Sequence, residues 1–396
     1  MASKWRSTTL GEVLRLQRGH DLPDQHRRPG PVPIMGSFGV TGWHDEARAR
    51  GPGVTVGRSG GSIGVVSFTK TDYWPLNTCL YVTNFMGNDP RFCYYWLRTL
   101  DLAAFNSGSA QPSLNRNYIY QLPARIPMPS EQIAIADTLG SLDDLIELNN
   151  QTNKSLETMA GAIFRHWFVD FEFPNEEGKP YKSSSGDMIY NEGLGKEIPK
   201  DWNVSGLGGE VQIELGGTPD RTRAEFWNGD INWINSGKAN EFRIVEPSEK
   251  ITREGLDSSA TKLLPKGTVV LAITGATLGQ VSRLEIDSCA NQSVIGIVEN
   301  ERMPSEYLYF WIKETINDLV RWQTGGAQQH INKGNVENSN VVVPSERIMQ
   351  EYTEIARPIF EKISSLCIES QSLARIRDLL LPRIMSGRVR VPVEVR

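Results

Sequence analysis

The chain of 396 residues is long enough for two domains of ordinary size and their connecting elements. Its 39% hydrophobic and 22% charged residues exclude a disordered chain, and no stretch approaches the roughly 18 consecutive apolar residues of a membrane helix. The net charge of −5 conceals a split, with +6 over 1–129 (14 Lys and Arg, 8 Asp and Glu), −8 over 130–197 (5 and 13), −5 over 198–343 (14 and 19) and +2 over 344–396 (9 and 7).

The first segment, 1–129, reads as a module of mixed α and β character. Its opening, MASKWRSTTLGEV, lacks an apolar signal core, which predicts a cytoplasmic protein. Short β-rich runs at 53–56 and 65–68 are bounded by Gly and Pro, and a helical pattern lies near 90–103. The module is basic enough to offer a face to a polyanion. Cys79, Cys93, Cys289 and Cys367 form no CxxC pair, and His20, His26, His44, His166 and His330 form no ligand set. No zinc ribbon, disulfide framework or metal site is therefore expected.

A different pattern begins after Pro129. Ser130 suits a helix N-cap, and Glu131 suits the first turn. Positions Ile135, Leu139, Leu142, Ile146, Asn149, Asn153, Leu156, Ala160, Ile163 and Trp167 then alternate steps of 4 and 3. Such an unbroken heptad seam predicts a helix over 130–167, about 57 Å long, in a spacer segment 130–172. A helix of that length needs a partner, and the two Asn would fix register at some loss of stability. Packing of each long helix on its own module is the alternative. Residues 173–197, rich in Gly, Pro, Ser and charge, read as an extended connector.

The third segment, 198–343, repeats the first. Trp5 matches Trp202, and the run from Gly11-Glu12-Val13 through Arg15 and Arg18 to Gly19 matches the run from Gly209-Glu210-Val211 to Gly217. Gly61-Ser62-Ile63-Gly64 matches Ala276-Thr277-Leu278-Gly279, Asn77 matches Asn291, and Tyr95-Trp96-Leu97 matches Phe310-Trp311-Ile312. Ser107 to Gln111 matches Thr324 to Gln328, and Pro129-Ser130-Glu131 matches Pro344-Ser345-Glu346. The shared order makes this a duplication. A β run at 268–273 and a helical pattern near 304–322 complete the second module. The last segment, 344–396, carries a second long helix from Ser345. Its apolar positions include Ile348, Tyr352, Ile355, Ile359, Ile363, Leu366, Leu373 and Leu380, with a kink expected at Pro358. The fold class is α+β: two similar mixed α/β modules, each followed by a long helix, with the helices pairing as an antiparallel coiled coil.

The run Ala162-Ile163-Phe164-Arg165-His166-Trp167-Phe168-Val169-Asp170-Phe171 resembles the central region of type I restriction–modification DNA specificity subunits. So do Gly178-Lys179-Pro180-Tyr181 and Glu197-Ile198-Pro199-Lys200-Asp201-Trp202. The resemblance covers the whole chain, and it implies a non-catalytic DNA reader. Each module would be a target-recognition domain reading half of a bipartite, asymmetric site in the major groove. The helices would set the spacing and dock two methyltransferase subunits, with motor–nuclease subunits as a further addition. S-adenosylmethionine, Mg and ATP would sit on those partners, and this chain would hold no cofactor. The seam residues Leu139, Leu142, Ile146, Asn149, Asn153, Leu156, Ile163, Trp167, Ile355, Ile359, Leu366 and Leu373 would form the subunit interface.

Motifs shared by both modules suit folding or phosphate positioning, because the halves read different bases. The Gly-rich stretches 61–64 and 275–279 fit either a phosphate cradle or a tight turn. Ser62, Gln111, Asn115, Arg116 and Asn117, with Gln328, Gln329, Asn332 and Lys333, carry donors and acceptors suited to DNA. Base readout is expected where the modules differ, at His20, Arg27, Arg28, Trp43, His44 and Arg58, and at Arg221, Arg223, Asn235 and Lys238. A solvated surface charge is the alternative for each. Two other classes of function remain. Asp170 with Glu177 and Lys179 matches a metal-dependent nuclease pattern, making the chain a DNA-cleaving enzyme. A two-headed adaptor for a non-DNA ligand would use the ten tryptophans to stack on carbohydrate.

Overall fold

The duplication read from the sequence returns as two units with the same sheet order. The computed structural model describes residues 5–106, 113–321 and 330–393. They form two units, one of 1–147 with 372–396 and one of 148–371. Unit one contains β1 (Arg6–Thr9), β2 (Arg15–Arg18), β3 (Val32–Gly36), β4 (Gly39–His44), β5 (Gly53–Gly57), β6 (Val66–Thr69), β7 (Trp74–Pro75), β8 (Cys79–Asn84) and β9 (Pro123–Ile126). β2, β8, β5 and β6 make an antiparallel sheet, and β4, β3 and β7 a smaller mixed one. β1 pairs with β9.

Unit two contains a hairpin of β10 (Met188–Asn191) and β11 (Lys196–Pro199), then β12 (Asn203–Gly206), β13 (Gln212–Leu215), β14 (Trp227–Ile234) and β15 (Glu249–Ile251). β16 (Val269–Ala272), β17 (Val281–Arg283), β18 (Cys289–Ala290), β19 (Val294–Val298) and β20 (Asn340–Val343) follow. The sheets are β13-β19-β16-β17, β15-β14-β18 and β12-β20, the order of unit one strand for strand. β5 (GVTVG) and β16 (VVLA) are buried throughout, as interior strands require. In β2 Leu16 is buried between exposed Arg15 and Gln17, and Arg18 is exposed at the strand end. The shared Gly-rich stretches are the turns β5–β6 and β16–β17. Gly60 and Gly64 in one, and Gly275 and Gly279 in the other, take left-handed φ of 68°, 81°, 65° and 85°.

The geometry corrects two motif matches. Leu76 N–H donates to Met35 O and Asn291 N–H to Ile234 O, so Asn291 aligns with Leu76, not Asn77. Leu14 N–H donates to Leu10 O, and Val211 N–H donates to Leu207 O. Gly11 therefore aligns with Gly208, not Gly209. The sequence match lured the register by one residue because 208 and 209 are both glycine.

The central helix runs Pro129–Phe168. Ser130 was expected as its cap but lies inside it, and Pro129 opens the helix because an N1 position needs no N–H partner. The C-terminal helix runs Glu346–Met385 and remains helical through Pro358. Within unit two, Asn149 Nδ2 donates to Glu369 at 3.0 Å and Asn153 Nδ2 to Cys367 Sγ at 3.3 Å, so the helices run antiparallel. Within unit one, Arg377 holds Asp143 at 2.6 Å, and Trp5 and Arg390 both donate to Glu131. No helix among the described residues is long and apolar enough to cross a membrane.

The seam divides its work. Ile135, Ala136 and Leu139 pack into the core of unit one, joined by Leu381, Ile384 and Met385. Asp144 is gripped by the Arg91 guanidinium at 2.7 and 2.8 Å, which holds its carboxyl well below the usual range. Leu142 and Ile146 are half-buried, and Asn149 and Asn153 are buried against the C-terminal helix. Leu156 and Ile163 border the core of unit two, and Trp167 is inside it. There Phe164 and Phe168 pack on Tyr307 and Tyr352, with ring centres 4.8 to 6.4 Å apart. On the C-terminal helix Ile359 and Leu366 are buried and Leu373 is half-buried. Ile355 is a correction: it is 44% exposed, while Ala356 is buried. The stripe Tyr352–Ala356–Phe360–Ile363 follows the 3.6-residue period of a helix on a globular core, which turns Ile355 outward.

The expected connector is also corrected, because it is folded. Phe171 and Phe173 are buried, and Phe173 stacks between Tyr181 at 4.5 Å and Trp202 at 4.8 Å. The hairpin β10–β11 follows directly.

Phe164→Ala is expected to destabilise the protein by about 3–5 kcal/mol through the cavity left in unit two, while Ile355→Ala stays within about 0.5 kcal/mol. Urea denaturation of both variants checks the contrast. Asn153 Oδ1 is buried with no hydrogen-bond partner among the described residues. Asn153→Leu is therefore expected to raise the urea midpoint, by about 1 kcal/mol or more in stability. An unchanged or lowered midpoint contradicts this.

Candidate nucleic-acid interface

Unit one carries a cleft of about 720 Å³ where the outer face of β2 meets a short helix, Arg116–Ile119. Of the residues selected from sequence, His20, Arg116 and Asn117 line it. Arg15, Arg18 and Tyr120, which sequence reasoning passed over, line it too. Arg15 and Arg18 are exposed strand ends on either side of buried Leu16. They went unselected because they stand inside a motif read as shared framework.

The cleft is held by backbone. Tyr120 OH accepts from Leu16 N–H at 2.9 Å and donates to Leu16 O at 3.0 Å. Arg116 Nη1 donates to the same carbonyl at 3.1 Å, and the Arg15 guanidinium lies 5.6 Å from the Tyr120 ring centre. Arg18 sits 3.7 Å from Asp21 in a solvent-exposed pair, a contact weak enough to exchange for another anion. His20 packs between Trp74 and Tyr81. Asn117 is exposed at the rim.

The remaining selected residues of unit one lie elsewhere. Arg27 and Arg28 flank the β3–β4 hairpin and pair with Asp24 at 2.9 Å and Asp45 at 2.7 Å. Trp43 on β4 is 57% exposed. His44 is buried, its Nδ1 accepting from Arg28 N–H at 3.0 Å and its ring edge-on to Trp74 at 5.3 Å. A base edge cannot reach it, which corrects its selection. Arg58 donates to Asn77 O and Ser113 Oγ, and Ser62 Oγ donates to Ser59 O, so both brace the β5–β6 turn. Asn115 caps the short helix by accepting from Asn117 N–H at 3.0 Å.

In unit two the selected cations are engaged. Arg221 makes a two-pronged pair with Glu249 at 2.7 and 2.9 Å over the Trp227 ring. Arg223 pairs with Glu225 at 2.8 Å. Lys238, its side chain 13% exposed, lies 2.7 Å from Glu241 and 3.6 Å from Glu246. Asn235 caps the turn Ser236–Asn240, and Asn332 caps the helix Lys333–Glu337. Lys333 lies 3.4 Å from Glu337. Gln111, Gln328 and Gln329 lie outside the described residues.

Glu177 pairs with Lys179 at 2.8 Å on the surface of a turn, and Asp170 is exposed after the central helix. Among the described residues no group of three or more His, Cys, Asp or Glu is close enough to hold a metal. Trp96, Trp311 and Trp167 are core residues, which leaves them no face for a sugar.

The family described as "Type I restriction modification DNA specificity domain" matches residues 2–158 and 199–376. Among curated relatives, the type I restriction enzyme MjaIX specificity subunit of Methanocaldococcus jannaschii is 27% identical over 341 residues, 83% of this chain and 76% of its own. The HindI specificity subunit of Haemophilus influenzae is 27% identical over 330 residues, 70% of this chain and 71% of its own. The crystal structure of a type I restriction–modification S subunit from M. genitalium shares the fold. It has a TM-score of 0.58 at 18% identity, covering 96% of each chain. The duplicated sheets, the paired long helices and these matches lead to one conclusion: the chain belongs to the type I restriction–modification DNA specificity family.

Proposed function

We propose that this chain is the sequence-reading subunit of a type I restriction–modification complex, each module reading one half of a bipartite, asymmetric DNA site. One observation carries the reading: the modules repeat a framework strand for strand while their outward residues differ. A shared framework meets DNA in a shared way, and differing exposed side chains read differing bases. Trp43 and Asn117 in module one are exposed enough for that role. In module two Arg221, Arg223 and Lys238 would have to leave carboxylates first.

The long helices act as the spacer and as the docking surface for two methyltransferase subunits, with motor–nuclease subunits added to that core. Methyl transfer and cleavage, with S-adenosylmethionine, Mg and ATP, belong to those partners. The exposed residues Leu145, Leu148 and Met159 of the central helix, with Ile355, Ile368 and Leu379 of the C-terminal helix, supply apolar surface for docking.

Replacing residues 1–129 with the corresponding module of another specificity subunit is expected to change one half-site and leave the other intact. Methylome sequencing reads this, and a change in both halves contradicts the two-reader assignment. Inserting one heptad after Glu147 and one after Gln371 is expected to lengthen the recognised spacing by about 10 Å, roughly three base pairs. Methylation at the original spacing with full activity would show that the helices do not measure it.

A further inference from the structure

The two modules place the same framework around very different charge. Gly19 and Gly216 are equivalent, because each lies where a Cβ would stand 2.1 Å from the carbonyl of Leu76 or Asn291. Counting back from them, Arg15 corresponds to Gln212 and Arg18 to Leu215, all four exposed. The Asn caps align the short helices, so Arg116 corresponds to Lys333, which leans on Glu337. Three arginines converge on one cleft in module one. The same positions in module two hold an amide, a leucine and an ion-paired lysine.

We infer that Arg15, Arg18 and Arg116 form a phosphodiester-binding cluster for the nucleic-acid backbone, and that module two has no counterpart. The inference rests on the DNA-reading function proposed above. Guanidinium forks match phosphate oxygens, and Arg116 is already oriented by Leu16 O. Each contact releases counterions, so module one carries most of the salt-dependent affinity. It also makes first contact, since that charge steers encounter. Module two then contributes by complementarity of shape and hydrogen bonding.

The test measures duplex binding by the full chain, with the methyltransferase subunit present, across 50–300 mM salt. Arg15→Gln with Arg18→Leu imports the residues that module two tolerates at the same framework positions, so folding is retained. The slope of log K against log salt is expected to fall by about 2, at about 0.9 per phosphate contact. The reciprocal Gln212→Arg with Leu215→Arg is expected to raise it by a similar amount. An unchanged slope in the first variant, with wild-type DNA binding intact, overturns the cluster alone. A cluster that instead held an acidic protein partner would show weakened assembly with the slope unchanged, and that also overturns it. Absence of any salt-dependent duplex binding by the wild-type complex sinks the DNA-reading function and the cluster with it.

Discussion

Everything in this fold depends on covering the apolar faces of two 40-residue helices. Leaving such faces in water is costly, at about 25 cal/mol for each Å² of apolar surface. The solution is to make the helices part of each unit's core. In unit two, Phe164 and Phe168 complete an aromatic cluster that Tyr307 and Tyr352 leave open. In unit one, Ile135 and Leu139 do the same with Leu381 and Ile384. Neither module possesses a full core without helical residues from both distant parts of the chain.

The duplicated framework separates two kinds of residue. Gly60, Gly64, Asn115 and their matches Gly275, Gly279 and Asn332 shape turns and cap helices. Those tasks are internal, which is why they persist through divergence. The exposed positions of β2 and β13 have no such duty, and there two arginines in one module stand against glutamine and leucine in the other.

Architecture was legible in the sequence because periodicity is local information. The heptad steps, the repeated motifs and the strand runs each lie within a few neighbouring residues. What was illegible depended on partners far along the chain. His44 looks like a surface histidine until Trp74 covers it. Arg221 looks like a base reader until Glu249 takes both its nitrogens. Phe173 sits in a Gly- and Pro-rich stretch, and only the stacking of Tyr181 and Trp202 shows the segment to be folded. Ile355 satisfied an i, i+3 count, but the stripe that mattered faced a globular core. Arg15 and Arg18 were visible as charged residues in a strand run and gained meaning only once Arg116 came to meet them, a hundred residues later.

The polar pairs in the helix seam have a consequence for precision. Helices packed only through leucine can slide by a turn, about 5.4 Å, with little loss. In the spacer role proposed above, such a slip would exceed the roughly 3.4 Å advance of one base pair. Buried Asn149 on Glu369 and Asn153 on Cys367 make every shifted alignment worse, because each slip strands an amide in an apolar seam. A seam built this way has discrete registers, each separated from the next by the loss of buried hydrogen bonds.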